Sequence, residues 1–208
     1  MSRSEHGQRG LRAPRRRSLR APKRGSLRAL KRGGGALEFA LVMPILLGFV
    51  LAGLDISNLV SEVQRTTSAA TAAADLAAQI DRFTPQTDIN RVVTGKEIAV
   101  LALAAREVAR PTDILADGAL IVTSVGNTGA GPAVAWQHRW GRAGIASQIG
   151  PGNLNGLTIA SGEGAVFAEV EREITPWRFT GRLLGLPQTM VVRRVAVRRP
   201  RLAMPLVQ

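Results

Sequence analysis

Sixteen consecutive residues, Phe39 to Leu54, carry no charge, and ten of them are Leu, Ile, Val or Phe. At helical rise this run is about 24 Å long, slightly less than the hydrocarbon core of a bilayer. Extension to Val60 completes a span and leaves Asp55 and Asn58 near the far headgroups, where polar side chains reach water. The ten large apolar residues favour insertion by roughly 3 to 6 kcal/mol together, against smaller costs from Pro44, Gly48 and Gly53. Residues 34–60 are therefore read as a transmembrane helix.

Charge gives the helix a direction. Residues 1–32 hold twelve Lys or Arg against one acid, Glu5, whereas the twenty residues after Leu54 hold one cation, Arg65. The N-terminus is expected to stay in the cytoplasm and Asp55 to Gln208 to be exported, as a single-pass protein of the cytoplasmic (inner) membrane. The net charge of +13 suggests a nucleic-acid binder until it is divided. Eleven of those charges lie in residues 1–33, and residues 34–208 have sixteen cations against fourteen acids. Residues 61–208 are long enough for one exported domain with its own core. The absence of cysteine excludes disulfides, thiol nucleophiles and a lipoprotein anchor.

The basic leader repeats every eight residues, with Leu11, Leu19 and Leu27 opening successive octads. Pro14 and Pro22 break any helix there and little is available to bury, so 1–33 is read as a disordered cytoplasmic tail. No aromatic residue precedes Phe39 to stack on a base. The tail is thus expected to orient the span and touch anionic membrane lipids, with no specific nucleic acid as partner. Arg15-Arg16-Arg17-Ser18-Leu19-Arg20 weakly resembles a twin-arginine export signal, and Val50-Leu51-Ala52 a signal-peptidase site. That pairing defines the alternative, a soluble exported periplasmic binding protein with a cleaved signal. An organelle transit peptide fits the Arg-rich start but not the apolar run after it.

Past the span, Leu59, Val63, Ala70, Ala74, Ala77 and Ile80 return to one side, which predicts helix from Ser57 to Phe83, stopped by Pro85. Small residues from Ser68 to Ala74 permit close approach of a neighbouring element. Thr94-Gly-Lys-Glu97 reads as a capping box opening a second helix, Gly95 to Ala109, with Ile98, Leu101, Ala105 and Val108 inward. A hairpin follows, Ala119 to Val125 and Ala133 to Trp140, with Val134, Trp136, His138 and Trp140 on one face. Residues 141–164 contain seven glycines and no periodicity, so a long surface loop is expected. Val166, Ala168, Val170 and Ile174 then alternate with Glu169, Glu171 and Glu173, predicting a strand with one buried and one solvated face. Trp177 to Pro187 connects to a last strand, Thr189 to Val197. The fold class is α+β: a long N-terminal helix running from the membrane into the periplasm, a second helix, and a small antiparallel sheet of about four strands.

Catalytic patterns are not found. His138 lies between two tryptophans with no ligand spacing around it and is read as a packed side chain, not a catalytic or metal-binding one. The glutamate row could hold a hard cation but reads as a solvated face, and Gly126 to Pro132 reads as a turn because no Lys-Ser/Thr follows its glycines. No catalytic residue, metal site or cofactor is assigned, and the chain is not read as an enzyme. The residue that carries function is Glu38, directly before Phe39. Buried uncompensated in lipid, its carboxylate would cost roughly 2.5 to 3.5 kcal/mol, so an acid there suggests a partner.

Around that acid the sequence resembles a prepilin, and in particular the TadE-like family of tight-adherence (Tad, or Flp) pilus assembly. Arg32-Gly33-Gly34-Gly35-Ala36-Leu37-Glu38-Phe39 is similar to a prepilin processing site cut between Gly33 and Gly34, which puts Glu38 at mature position five. Glu38-Phe39-Ala40-Leu41-Val42-Met43-Pro44 and Asp55 are similar to the TadE-like pattern, as are 73–79, Ala168-Glu169-Val170, Thr175-Pro176 and Arg199-Pro200-Arg201. The resemblance implies a minor pilin or pseudopilin cleaved by an aspartic prepilin peptidase. It also implies assembly contacts at Glu38, Pro44 and Asp55, with other pilin or pseudopilin subunits and the inner-membrane Tad platform as partners, in pilus biogenesis and adhesion. A cut at Gly33 exposes an α-amino cation at Gly34 with which Glu38 of a neighbouring subunit can pair. Against the family pattern, the leader is long and repetitive, three successive glycines offer several bonds, and a cysteine pair is missing.

Overall fold

The computed structural model describes residues 26–200 apart from Asp81, together with Leu206 and Val207; for 26–34, 206 and 207 only the backbone is described. The expected disorder of residues 1–25 thus falls outside the described residues. The chain divides into two compact units, Met1–Leu46 and Leu47–Gln208.

Helix α1, Ser26–Gln79, is 54 residues long and continues through Pro44. It begins inside the basic leader, so the third octad, expected disordered, is helical. That octad has Leu30 where the first two have Pro14 and Pro22, so its backbone donors and φ angles are free to enter the helix. Within the first unit the described part is this helix, and Leu37, Phe39, Leu41 and Ile45 are all more than half exposed. From Gly35 on, α1 is long and apolar enough to cross a membrane.

In the second unit α1 is followed by β1 (Arg82–Phe83), α2 (Ala99–Val108), β2 (Gly118–Asn127), β3 (Pro132–Gly141), β4 (Gly164–Ile174), α3 (Gly181–Leu184), β5 (Met190–Arg198) and β6 (Leu206–Val207). Strands β2 to β5 form an antiparallel sheet in the order β3-β2-β4-β5, and β1 pairs in parallel with β6. The architecture is α+β, with the four-stranded sheet read from the sequence.

One sheet face is covered by helix. Thr66, Ala69, Ala70, Ala73, Ala74 and Ala77 of α1 are buried at helical spacing. They join Leu101, Ala102 and Ala105 of α2 over Leu120, Val122, Val166, Ala168 and Val170 of the sheet. On the α1 side this seam is made almost wholly of alanine, and the large side chains come from α2 and the sheet. Helix α1 stops at Gln79, short of the expected Phe83, because Phe83 turns into the core and meets the edge of Trp136 at 6.0 Å.

Helix α2 starts at Ala99, with Ile98 in the cap position. The Thr94-to-Glu97 motif closes a turn ahead of it instead. Glu97 accepts hydrogen bonds from the backbone N–H of Val93 and Thr94 and from the Thr94 hydroxyl, at 2.9 to 3.1 Å. Gly95, inside that turn, has φ +74°. The inward face reads Ile98, Leu101, Ala102, Ala105 and Ala109, and Val108, expected inward, is 47% exposed.

The other sheet face refines one expectation and overturns another. Residues 141–163 form the expected long, mostly exposed loop, but it folds back over the sheet and buries Ile149, Leu154 and Ile159 against Val125, Ala165 and Phe167. Glu169 is therefore buried rather than solvated. It accepts hydrogen bonds from the Ser147 hydroxyl and from the Gln148 N–H at 3.1 Å, and pairs with Arg193 at 3.2 Å. Glu171 shares Arg193, while Glu173 stays exposed opposite Arg142. Val134 also leaves its expected face. The β2–β3 register shifts between Ser124 and Val125, so Trp136 pairs with Ser124 on the helix side and Val134 pairs with Val125 on the other.

Candidate assembly and anchoring site

The residues singled out before the span lie along α1. Gly33 and Gly34 are in its backbone path, and Glu38, Phe39 and Pro44 are exposed. No hydrogen bond or ion pair joins Glu38 to any other described residue.

Asp55 behaves otherwise. Expected near headgroup water, it is fully buried inside the second unit. One carboxylate oxygen accepts the Phe179 N–H at 3.0 Å, and the other accepts the Thr180 N–H at 2.8 Å and the Thr180 hydroxyl at 2.6 Å. The physical reason is local. An acid one residue past the apolar run has little water available, and the 177–186 connection supplies three donors in its place.

Two more fixings follow along α1, the first on the same face as Asp55 and the second off that face. Glu62, two turns on, pairs with Arg172 of β4 at 2.7 Å and with Arg65 at 3.4 Å. Further along, Asp75 pairs with Arg198 of β5. Arg172 and Arg198 face the helix because β4 and β5 alternate, and residues 166, 168, 170 and 172 share that face with their β5 partners 198, 196, 194 and 192. Gly118 makes the close packing at Arg172 possible, since a Cβ there would stand 2.1 Å from the Glu171 carbonyl oxygen. Thus Asp55, Glu62 and the buried alanines form one stripe along the helix, while the half-exposed Asp75–Arg198 pair lies off that stripe, at its margin.

Beside Arg172, an open cleft is bordered by Glu62, Asp117, Arg142 and Glu173. Two ion pairs cross it, Arg142 with Glu173 at 3.3 Å and Arg172 with Glu62 at 2.7 Å. His138 sits in a row of rings, 6.0 Å from Trp136 and 6.1 Å from Trp140. Burial lowers its pKa below the usual 6.5. Trp140 donates its indole N–H to the Thr87 carbonyl at 2.8 Å, so the row is packing that ties β3 to the segment after β1.

Thr180, Arg172 and Arg193 were missed by sequence reasoning, although one signal was present for Thr180. The argument that an acid beside lipid needs a partner applies to Asp55 as much as to Glu38.

Residues 33–75 match the profile of the TadE-like protein family. The matched stretch begins at Gly33 and includes Glu38, Pro44, Asp55 and Glu62. No curated protein and no solved structure matches the chain.

Proposed function

From the premise that residues 33–75 belong to the TadE-like family, which points to Tad pilus assembly, we propose that this chain is a minor pilin-like (pseudopilin) subunit of a Tad/Flp pilus system. It acts by assembly and not by catalysis. In this reading α1 crosses the inner membrane once, with the leader in the cytoplasm and residues 61–208 in the periplasm. A prepilin peptidase cuts between Gly33 and Gly34, and the product contacts other pilin subunits and the Tad platform.

The observation that carries the reading is Glu38, an exposed acid at the start of an exposed apolar helix with no partner among the described residues. Cleavage would leave an ammonium at Gly34, one turn from Glu38. In a bundle of such helices each acid can take the ammonium of the next subunit, in a medium where the alternative is two unpaired charges. The pair would set the axial register between copies.

Intact mass and N-terminal sequencing of protein from membranes should find a chain starting at Gly34. Uncut chain in cells that build pili would overturn the processing step. Glu38→Ala should insert normally but fail to enter pili, and wild-type piliation in that variant would remove Glu38 from the mechanism.

A further inference from the structure

The connection between β4 and β5 displays apolar side chains that the fold does not use. Phe179 is 50% exposed, Leu183 76% and Leu184 63%, although β4, which leads into the connection, buries Val166, Phe167, Val170 and Ile174 almost completely. The display is held by defined structure. Leu184 and Leu186 donate their N–H groups to the Thr180 and Gly181 carbonyls at 3.0 and 2.9 Å, and Gly185 ends α3 at φ +65°. Its level along α1 is set as well, because Asp55 grips the backbone of Phe179 and Thr180 and Asp55 is the first residue after the uncharged run ending at Leu54. Arg178 and Arg182 are exposed among these apolar residues, and no acid occurs from Ile174 to Thr189.

We propose that residues 177–186 form an interfacial membrane foot. Phe179, Leu183 and Leu184 enter the headgroup–acyl boundary of the bilayer that α1 crosses, and Arg178 and Arg182 bind lipid phosphates. The inference rests on the membrane-spanning reading of α1. A lipid surface is favoured over a protein partner by continuity, since the foot is fastened where the lipid-facing run of the helix ends. Charge agrees, because exposed Arg set among large apolar residues is the composition of segments that lie in the interface.

The chain lacks cysteine, so single-cysteine variants can report position. Leu183→Cys carries an environment-sensitive fluorophore in the full chain reconstituted in nanodiscs, with spin-labelled lipids as quenchers. Leu47→Cys within the uncharged run is the membrane reference. Ala130→Cys, in the β2–β3 turn some ten strand residues from Gly118, is the aqueous reference, about 30 Å away along the sheet. Lipid quenchers placed shallowly should quench the Leu183 label at least about two-fold more than the Ala130 label, more so in anionic discs. The Arg178→Gln/Arg182→Gln pair should abolish that anionic increment. A Leu183 label reached only by aqueous iodide, with the Leu47 label lipid-quenched, overturns the foot and leaves the span standing. A Leu47 label that escapes the lipid quenchers overturns the span and the foot together. A Leu183 label shielded only in discs holding two or more copies assigns the patch to a second subunit and overturns the lipid proposal.

Discussion

Replacing Glu62 with leucine should destabilise the 47–208 unit far more than replacing Arg172 with methionine, although each change deletes the same 2.7 Å ion pair. The asymmetry comes from what each leaves behind. The Arg172 side chain is 4% exposed, and its Nε has no hydrogen-bond partner among the described residues. Without Glu62, a guanidinium is left shut away from water, and breaking one side of such a pair costs roughly 3 to 5 kcal/mol. Glu62 is 16% exposed and keeps Arg65 at 3.4 Å, so without Arg172 its carboxylate retains a cation and some water. Methionine also fills much of the vacated volume, which brings that loss to about 1 to 2 kcal/mol. The double variant contains neither stranded charge and should resemble Arg172→Met alone. For a unit of this size the Glu62→Leu loss lowers Tm by on the order of 10 °C, and the Arg172→Met loss by less than about 5 °C. Full chain in detergent micelles, followed through the fluorescence of Trp136, Trp140 and Trp177, gives the measurement. Equal losses in the two single variants, with a double variant equal to their sum, would refute the claim that Arg172 is a buried charge held by Glu62.

Asp55→Asn removes the ionised acceptor that grips Phe179 and Thr180, so trypsin should cut at Arg178 and Arg182 about tenfold faster while unfolding of the sheet changes little. Hydrogen bonds to its carboxylate, led by the Thr94 N–H, lower the Glu97 pKa from the usual 4.5 to about 2. Its contribution is therefore complete above pH 4.5 and lost as pH falls through about 2, and Glu97→Gln should flatten the acid limb of stability in that window. His138, with its pKa lowered by burial, favours the fold while neutral. Stability should thus begin to fall as pH drops below 6.5, and His138→Phe should remove that inflection. Gly118→Ala places a Cβ 2.1 Å from the Glu171 carbonyl oxygen, and loss of roughly 1 to 3 kcal/mol or more is expected in chemical denaturation.

Periodicity and uncharged length were legible wherever one residue set faces one environment. The run from Phe39 to Leu54 and the alternation from Val166 to Val170 are such cases. Reading failed where a second layer intervened. Nothing in the alternation of Glu169, Glu171 and Glu173 indicates that Ser147 and Gln148 return to cover the first of them, because that contact spans more than twenty residues. The glycines of 141–164 suggested solvent, yet they are the turns that let Ile149, Leu154 and Ile159 reach the sheet. Val134 was misplaced by a bulge, and Val108 by the drift of a 3.6-residue turn, which brings Ala109 rather than Val108 onto the face of Ile98 and Ala105. At the functional end, Glu38 and Asp55 look alike in sequence, both being acids at the edges of one apolar run. Only the positions of Phe179 and Thr180 separate an acid satisfied within the domain from one with no partner among the described residues.

Asp55, Glu62 and Asp75 fasten the helix at three levels spread over about 30 Å of its length. Tension applied along the helix axis loads all three fastenings and the alanine seam in shear, so they must yield together. The same fastenings met from the side would peel one at a time. Load along the helix axis is thus shared among the fastenings, and load across it is not.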